Sequence, residues 1–149
     1  MSKTVIIYYS HHHGNTKKLL EAVKDQCEVD LIPIEQANTV SLADYERIGF
    51  ASGIYYAKFA GSIYKYLENH KDELKGKETF LLATGGGFSN QKVFDALGDL
   101  LTEAGATLLG SYYCKGWDSY GPFKLIGGIH KKHPNDKDLR KAVSFYQGL

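Results

Sequence analysis

Seven consecutive residues carry the densest chemistry in the chain: Ser10-His11-His12-His13-Gly14-Asn15-Thr16. Ser10, Asn15 and Thr16 offer side-chain hydrogen-bond donors. Gly14 lets the backbone come close to a ligand. His12 and His13 offer ring N–H groups that partly balance a dianion. An apolar run precedes the loop and an amphipathic pattern follows it. A strand that feeds such a loop into a helix N-terminus is how α/β proteins hold a phosphate, because loop N–H groups and the helix dipole converge on one anion. The sequence therefore predicts a phosphorylated ligand here. The same residues also suit a plain strand-to-helix turn with capping side chains. Metal is a poorer reading. Adjacent residues cannot easily turn three rings onto one ion, and no His or Cys stands nearby at ligand spacing, so no metal site is assigned.

Two further loops have related character. Ser52-Gly53-Ile54-Tyr55-Tyr56-Ala57-Lys58-Phe59 suits a flat aromatic ligand. Stacking on Tyr55 or Tyr56 adds about 1 kcal/mol beyond area burial. The plain alternative puts one tyrosine in the core and the other at the surface. Thr84-Gly85-Gly86-Gly87-Phe88-Ser89-Asn90 can bring bare backbone against a ligand edge. It falls short of Gly-x-Gly-x-x-Gly, since Asn90 stands where the last glycine belongs. A Walker P-loop is excluded, because no Gly-Lys-Ser/Thr follows a strand. A phospho-acceptor receiver domain needs acids where Tyr8, Tyr9 and Ser10 stand. No nucleophile–base pair or carboxylate pair stands out, so no catalytic residue is assigned. A binding cradle without catalytic side chains fits a cofactor that does its own chemistry.

The elements that must position these loops are legible from periodicity. Val5-Ile6-Ile7-Tyr8-Tyr9 reads as a buried strand. Thr16, Leu19, Leu20, Val23 and Cys27 form the stripe of the helix after it. Val29 to Pro33 reads as a second strand, and Leu42 to Tyr45 as a short connection with helical character. Arg47 to Ala51 is a third strand, ending at Ser52-Gly53. Phe59, Ile63, Tyr66 and Leu67 recur at helical spacing. Thr79 to Ala83 is a fourth strand, and Val93, Leu97, Leu100 and Leu101 mark the next helix, closed by Gly105. Thr107 to Cys114 is a fifth strand. The last helix starts near Pro134-Asn135-Asp136, with Leu139, Ala142, Val143 and Tyr146 facing inward. Strands alternating with helices predict an α/β fold: a parallel sheet with helices on both faces. Ligands then bind beyond the carboxyl ends of the strands, where the strand order reverses. One irregular stretch, Lys115 to His133, is long for a loop and reads as functional or as a cover.

With 149 residues the chain suits one domain, 1–149. Eleven tyrosines and sixteen glycines stand above ordinary composition, in keeping with the aromatic and glycine-bearing loops. A formal net charge of +1 argues against a nucleic-acid-binding patch and an acidic tail. No apolar run approaches the roughly 20 residues of a membrane span. Met1-Ser2-Lys3-Thr4 leads straight into a strand without signal-peptide features, so a cytoplasmic location is expected. The two cysteines, Cys27 and Cys114, form no Cys-x-x-Cys and are expected to be reduced.

The chain resembles the flavodoxin family over nearly its whole length. The Ser10…Gly14-Asn15-Thr16 loop resembles the flavodoxin phosphate loop. The Ile48-Gly49-Phe50-Ala51-Ser52-Gly53-Ile54-Tyr55 and Leu82-Ala83-Thr84-Gly85-Gly86-Gly87 segments resemble the two that flank the flavin ring. Cys114-Lys115-Gly116, Gly127-Gly128 and His133-Pro134-Asn135-Asp136 are like a small prokaryotic flavodoxin-domain subfamily.

The resemblance implies a flavodoxin-like three-layer sandwich with a five-stranded parallel sheet of order 2-1-3-4-5. It implies FMN as cofactor. The phosphate would be held by Ser10, His12, His13, Gly14, Asn15 and Thr16. The ring would lie between Ser52, Gly53, Ile54, Tyr55, Tyr56, Ala57 and Thr84, Gly85, Gly86, Gly87. In that order Cys27 and Cys114 lie toward opposite sheet edges, too far apart for a disulfide. Gly53 matches the glycine whose peptide, in flavodoxins, flips to accept a hydrogen bond from the reduced flavin.

The first loop is one residue longer than the usual Ser/Thr-x-Thr-Gly-x-Thr, and His13 replaces the threonine before glycine. The chain also lacks the strong acidity of flavodoxins, with Lys58 beside the presumed ring.

Three functional classes follow. The first is an electron carrier, monomeric or weakly dimeric, between a reductase and an acceptor enzyme. The second is an FMN-dependent NAD(P)H oxidoreductase with a quinone-type acceptor. For it only the 115–133 stretch, with Trp117, Tyr120 and Phe123, is available to build a substrate pocket. The third is a flavodoxin-like module that has lost FMN.

Overall fold

The computed structural model describes residues 3–10, 14–54, 58–85, 92–115 and 133–149. Five strands, β1 (Thr4–Tyr9), β2 (Asp30–Pro33), β3 (Arg47–Gly53), β4 (Glu78–Gly85) and β5 (Thr107–Lys115), form one sheet. All its ladders are parallel, and its order is β2-β1-β3-β4-β5. The order reverses beside β1, which is where the predicted ligand loops leave the sheet.

Five helices complete the described fold: α1 (Asn15–Gln26), α2 (Gly61–Asn69), α3 (Lys71–Leu74), α4 (Lys92–Glu103) and α5 (Asp136–Gln147). Side chains alternate between two cores, as pleating requires. Val5, Ile7, Ile48, Phe50, Leu81 and Ala83 face α2 and α4. Ile6, Ala51, Phe80 and Leu82 face the α1 stripe of Leu19, Leu20 and Val23, together with Ala142 of α5. Gly49 makes this second core possible. A Cβ there would lie 2.4 Å from the tip of the Phe80 ring. That ring meets Phe145 and Tyr146 of α5 edge-on.

The structure departs from the periodicity reading in a few places. Cys27 falls just past α1 as its C-cap and is half-buried. Phe59 is buried but precedes α2, and Ile34–Thr39 forms a 3-10 turn. In α5, Ala142 is fully buried while Leu139, Val143 and Tyr146 pack half-buried around it. Strand β5 holds a one-residue bulge. Thr79 pairs with Leu108 and Phe80 with Gly110, so Leu109 has no opposite residue. Beyond it the facing parity changes: Leu108 packs in the first core, but Tyr112 and Cys114 pack in the second. Both cysteines are free thiols.

Helix α5 starts with a capping box. Asn135 Oδ1 accepts the Asp138 N–H and Asp138 Oδ2 accepts the Asn135 N–H, each at 2.9 Å. Tail residues that the sequence reading singled out, Cys114-Lys115 and His133-Pro134-Asn135, therefore flank the start of this helix and the end of β5. Gly116, Trp117, Tyr120, Phe123, Gly127 and Gly128 lie outside the described residues.

Candidate functional site

The carboxyl ends of β1, β3 and β4 converge. Tyr9 pairs with Ser52, and Gly53 with Thr84. From β1 the chain enters the first loop. Gly14 adopts a left-handed conformation (φ 68°, ψ 24°) at the N-cap of α1, which glycine tolerates without a steric penalty. Its carbonyl accepts the Lys18 N–H at 3.0 Å, closing the first turn. Ser10 Oγ accepts the Lys17 N–H at 3.0 Å, tying the start of the loop to that turn. The first turn of α1 contains no acid. An N-terminus flanked by Lys17 and Lys18 and free of carboxylates favours an anion.

Thr16 and Thr84 hold the first and third loops together. Their hydroxyls hydrogen-bond at 2.8 Å, and the residues are 1% and 2% exposed. The sequence reading gave Thr16 to phosphate; in the structure its hydroxyl engages Thr84. The Thr84 carbonyl also accepts the Ile54 N–H at 2.7 Å, joining the third loop to the second. Ser52 braces the second loop from below. Its hydroxyl donates to the Gly53 carbonyl at 2.6 Å and accepts the Ala60 N–H at 3.0 Å.

Gly85 is fixed by its surroundings. A Cβ there would lie 2.8 Å from the Tyr113 hydroxyl and 3.3 Å from Ile54 Cβ. A side chain there would crowd Tyr113 and Ile54, so glycine suits the space between β5 and the second loop. Tyr113 was not anticipated from sequence. Its hydroxyl meets Gly85 across the β4–β5 ladder, a contact that no local motif encodes.

Ser10, Gly14, Asn15, Thr16, Ser52, Gly53, Ile54, Thr84 and Gly85 are therefore gathered at one end of the sheet. His12, His13, Tyr55, Tyr56, Ala57, Gly86 and Gly87 lie outside the described residues. Among the described residues no group of three His, Cys, Asp or Glu side chains could hold a metal. No helix among them is long and apolar enough to cross a membrane.

The donor set fits FMN. A helix N-terminus with a nearby Ser10 hydroxyl and no carboxylate suits its phosphate, and the adjacent strand ends at Gly53 and Gly85 offer bare backbone to a planar ring.

Comparison with known proteins agrees with this architecture. A 37% identical uncharacterized protein of Methanocaldococcus jannaschii aligns over 148 residues, 99% of this chain and 97% of that one. A solved flavodoxin from the domain Archaea superposes with a TM-score of 0.68 at 20% identity, over 95% of this chain and 92% of that one. A short-chain flavodoxin associated with a bacterial microcompartment gives a TM-score of 0.70 at 16% identity, over 99% and 96%. At such identities the two solved structures speak to the fold. Family membership rests on the sequence itself: residues 6–100, more than half of the chain, match the model of the flavodoxin domain, and the chain belongs to that family.

Proposed function

We propose that the protein binds FMN at the convergent ends of β1, β3 and β4 and carries electrons between redox enzymes. The observation that best supports this is the Thr16–Thr84 hydroxyl link together with the hydrogen bond from the Ile54 N–H to the Thr84 carbonyl, which hold three ligand loops as one unit. Ser10, His12, His13, Gly14, Asn15 and the first turn of α1 hold the phosphate. Thr16 acts by fixing that turn. Gly53 and Ile54 with Tyr55, Tyr56 and Ala57 line one side of the ring, and Thr84 to Gly87 the other. Bound FMN supplies the electron-accepting and electron-donating chemistry. The chain's own part is to orient it, and the Ser52 hydroxyl does so by restraining the Gly53 carbonyl.

The test is the visible absorption spectrum before and after adding FMN and removing the excess. Flavin bands with quenched FMN fluorescence support the reading. A protein that stays colourless and leaves FMN fluorescence unchanged overturns it. Rapid NADH or NADPH oxidation by the loaded protein without a partner would replace the carrier with an oxidoreductase.

A further inference from the structure

We propose that a second ligand site lies at the carboxyl end of β5, where the strand meets the start of α5, and that it takes a small phosphorylated molecule of charge −2 or more. A cavity of about 450 Å³ opens there, within the size range of small-molecule sites. Lys115 enters it from β5, and His133, Lys137 and Lys141 from the α5 side. These residues are far apart in sequence, and the fold brings them to one hollow.

The charge balance selects the ligand. Asp138 is the one acid among the described residues that line the cavity. Its Oδ2 already meets the His133 Nδ1 at 2.6 Å and the Asn135 N–H at 2.9 Å. Burial alone would raise the Asp138 carboxyl, but the His133 and Asn135 hydrogen bonds outweigh it and hold the group below its ordinary range. It is thus an anion committed to local partners. Cys114 adds no compensating charge, because burial and the Asp138 carboxylate push its thiol up to about 12. Tyr112 is likewise a neutral phenol, and donates its hydroxyl to the Asp138 carbonyl at 3.0 Å. Three lysines therefore face one carboxylate. A monocarboxylate would leave the excess largely unbalanced, whereas a phosphate ester would not. Lys137 and Lys141 are four apart on α5, so they project from the same face of the helix.

The position gives the site a use. Gly85 pairs with Lys115 and Thr84 with Cys114, so the strand that lines the cavity ends beside β4, which leads into the third loop, at one strand spacing of about 4.8 Å. A phosphorylated molecule held there would sit at the strand next to the proposed flavin site and be distinct from the flavin's own phosphate. The proposal itself does not depend on flavin binding.

Pyrophosphate is the probe, with acetate at matched ionic strength as the monoanion control. The readout is NMR of the His133 ring, assigned through its loss in His133→Asn, and of the Tyr112 ring. Pyrophosphate should move both signals saturably, and acetate should not. The Lys137→Ala/Lys141→Ala variant, altered only at exposed side chains, should bind about tenfold more weakly by the same signals. Ser10→Ala, confined to the first loop, should leave the His133 response unchanged. Signals that stay still, respond equally to acetate, or titrate identically in the lysine variant would overturn the proposal. Because the His133 signal is read with or without FMN, failure of the flavin reading would appear separately, as absent flavin bands.

Discussion

Thr16 and Thr84 satisfy each other, and that makes them a sensitive pair. Thr84→Val keeps the shape but leaves the Thr16 hydroxyl buried without its partner. We expect a loss of about 1–3 kcal/mol, read as a lower urea midpoint. Adding Thr16→Val should restore much of it, giving a double-mutant cycle with clear coupling. Tyr66 is the opposite case. Its hydroxyl is buried and, among the described residues, has no hydrogen-bond partner, while its ring stacks on His70 at 3.9 Å. Tyr66→Phe should therefore be neutral or stabilising in the same urea measurement. Neither expectation was available from sequence. Residue type showed that Thr16 and Thr84 border ligand loops, but their partnership spans 68 positions and exists only once α1 is laid on the sheet.

Between α5 and the sheet, Gly49 is the position to challenge. Gly49→Ala would drive a methyl into the Phe80 ring, which is fully buried against Phe145 and Tyr146. We expect a loss of about 1–3 kcal/mol in thermal or urea unfolding. At the start of α5, Asp138 sits below its ordinary carboxylate range in the folded protein. A depressed folded-state value means that its stabilising contribution is present above the unfolded value, about 3.9, and fades as the pH falls through the folded one. The stability difference between wild type and Asp138→Asn should thus be largest near neutral pH. It should shrink as unfolding is measured at progressively lower pH below about 4.

The strands and the main helices could be read from the sequence, because unbroken apolar runs and three-four spacing report burial directly. The capping chemistry of Asn135 and Asp136 located the start of α5 for the same local reason. The Ile34–Thr39 turn could not be read, since a 3-10 segment has no amphipathic period of its own. The bulge at Leu109 was equally silent, being a relation between two strands.

For the molecule as a whole, a net charge of +1 would shape the field around FMN bound as proposed. Less negative charge disfavours the reduced, anionic cofactor less than an acidic shell would. The second reduction couple should therefore lie less negative than in acidic flavodoxins, and a potentiometric titration yielding a strongly negative value would contradict this.

The bulge in β5 also bears on how such a chain tolerates change. An in-frame loss of the single codon for Leu109 would leave a regular ladder, with Leu108 still opposite Thr79 and Gly110 still opposite Phe80. Every later position of β5 would keep its partner and its side, so Tyr112 and Cys114 would stay toward α5 and Tyr113 toward the other core. Lineages that drop this residue would thus keep the lining of the hollow beside α5, whereas loss of a paired residue beyond the bulge, with the bulge kept, would exchange that lining in one step while the strand order stayed as it is.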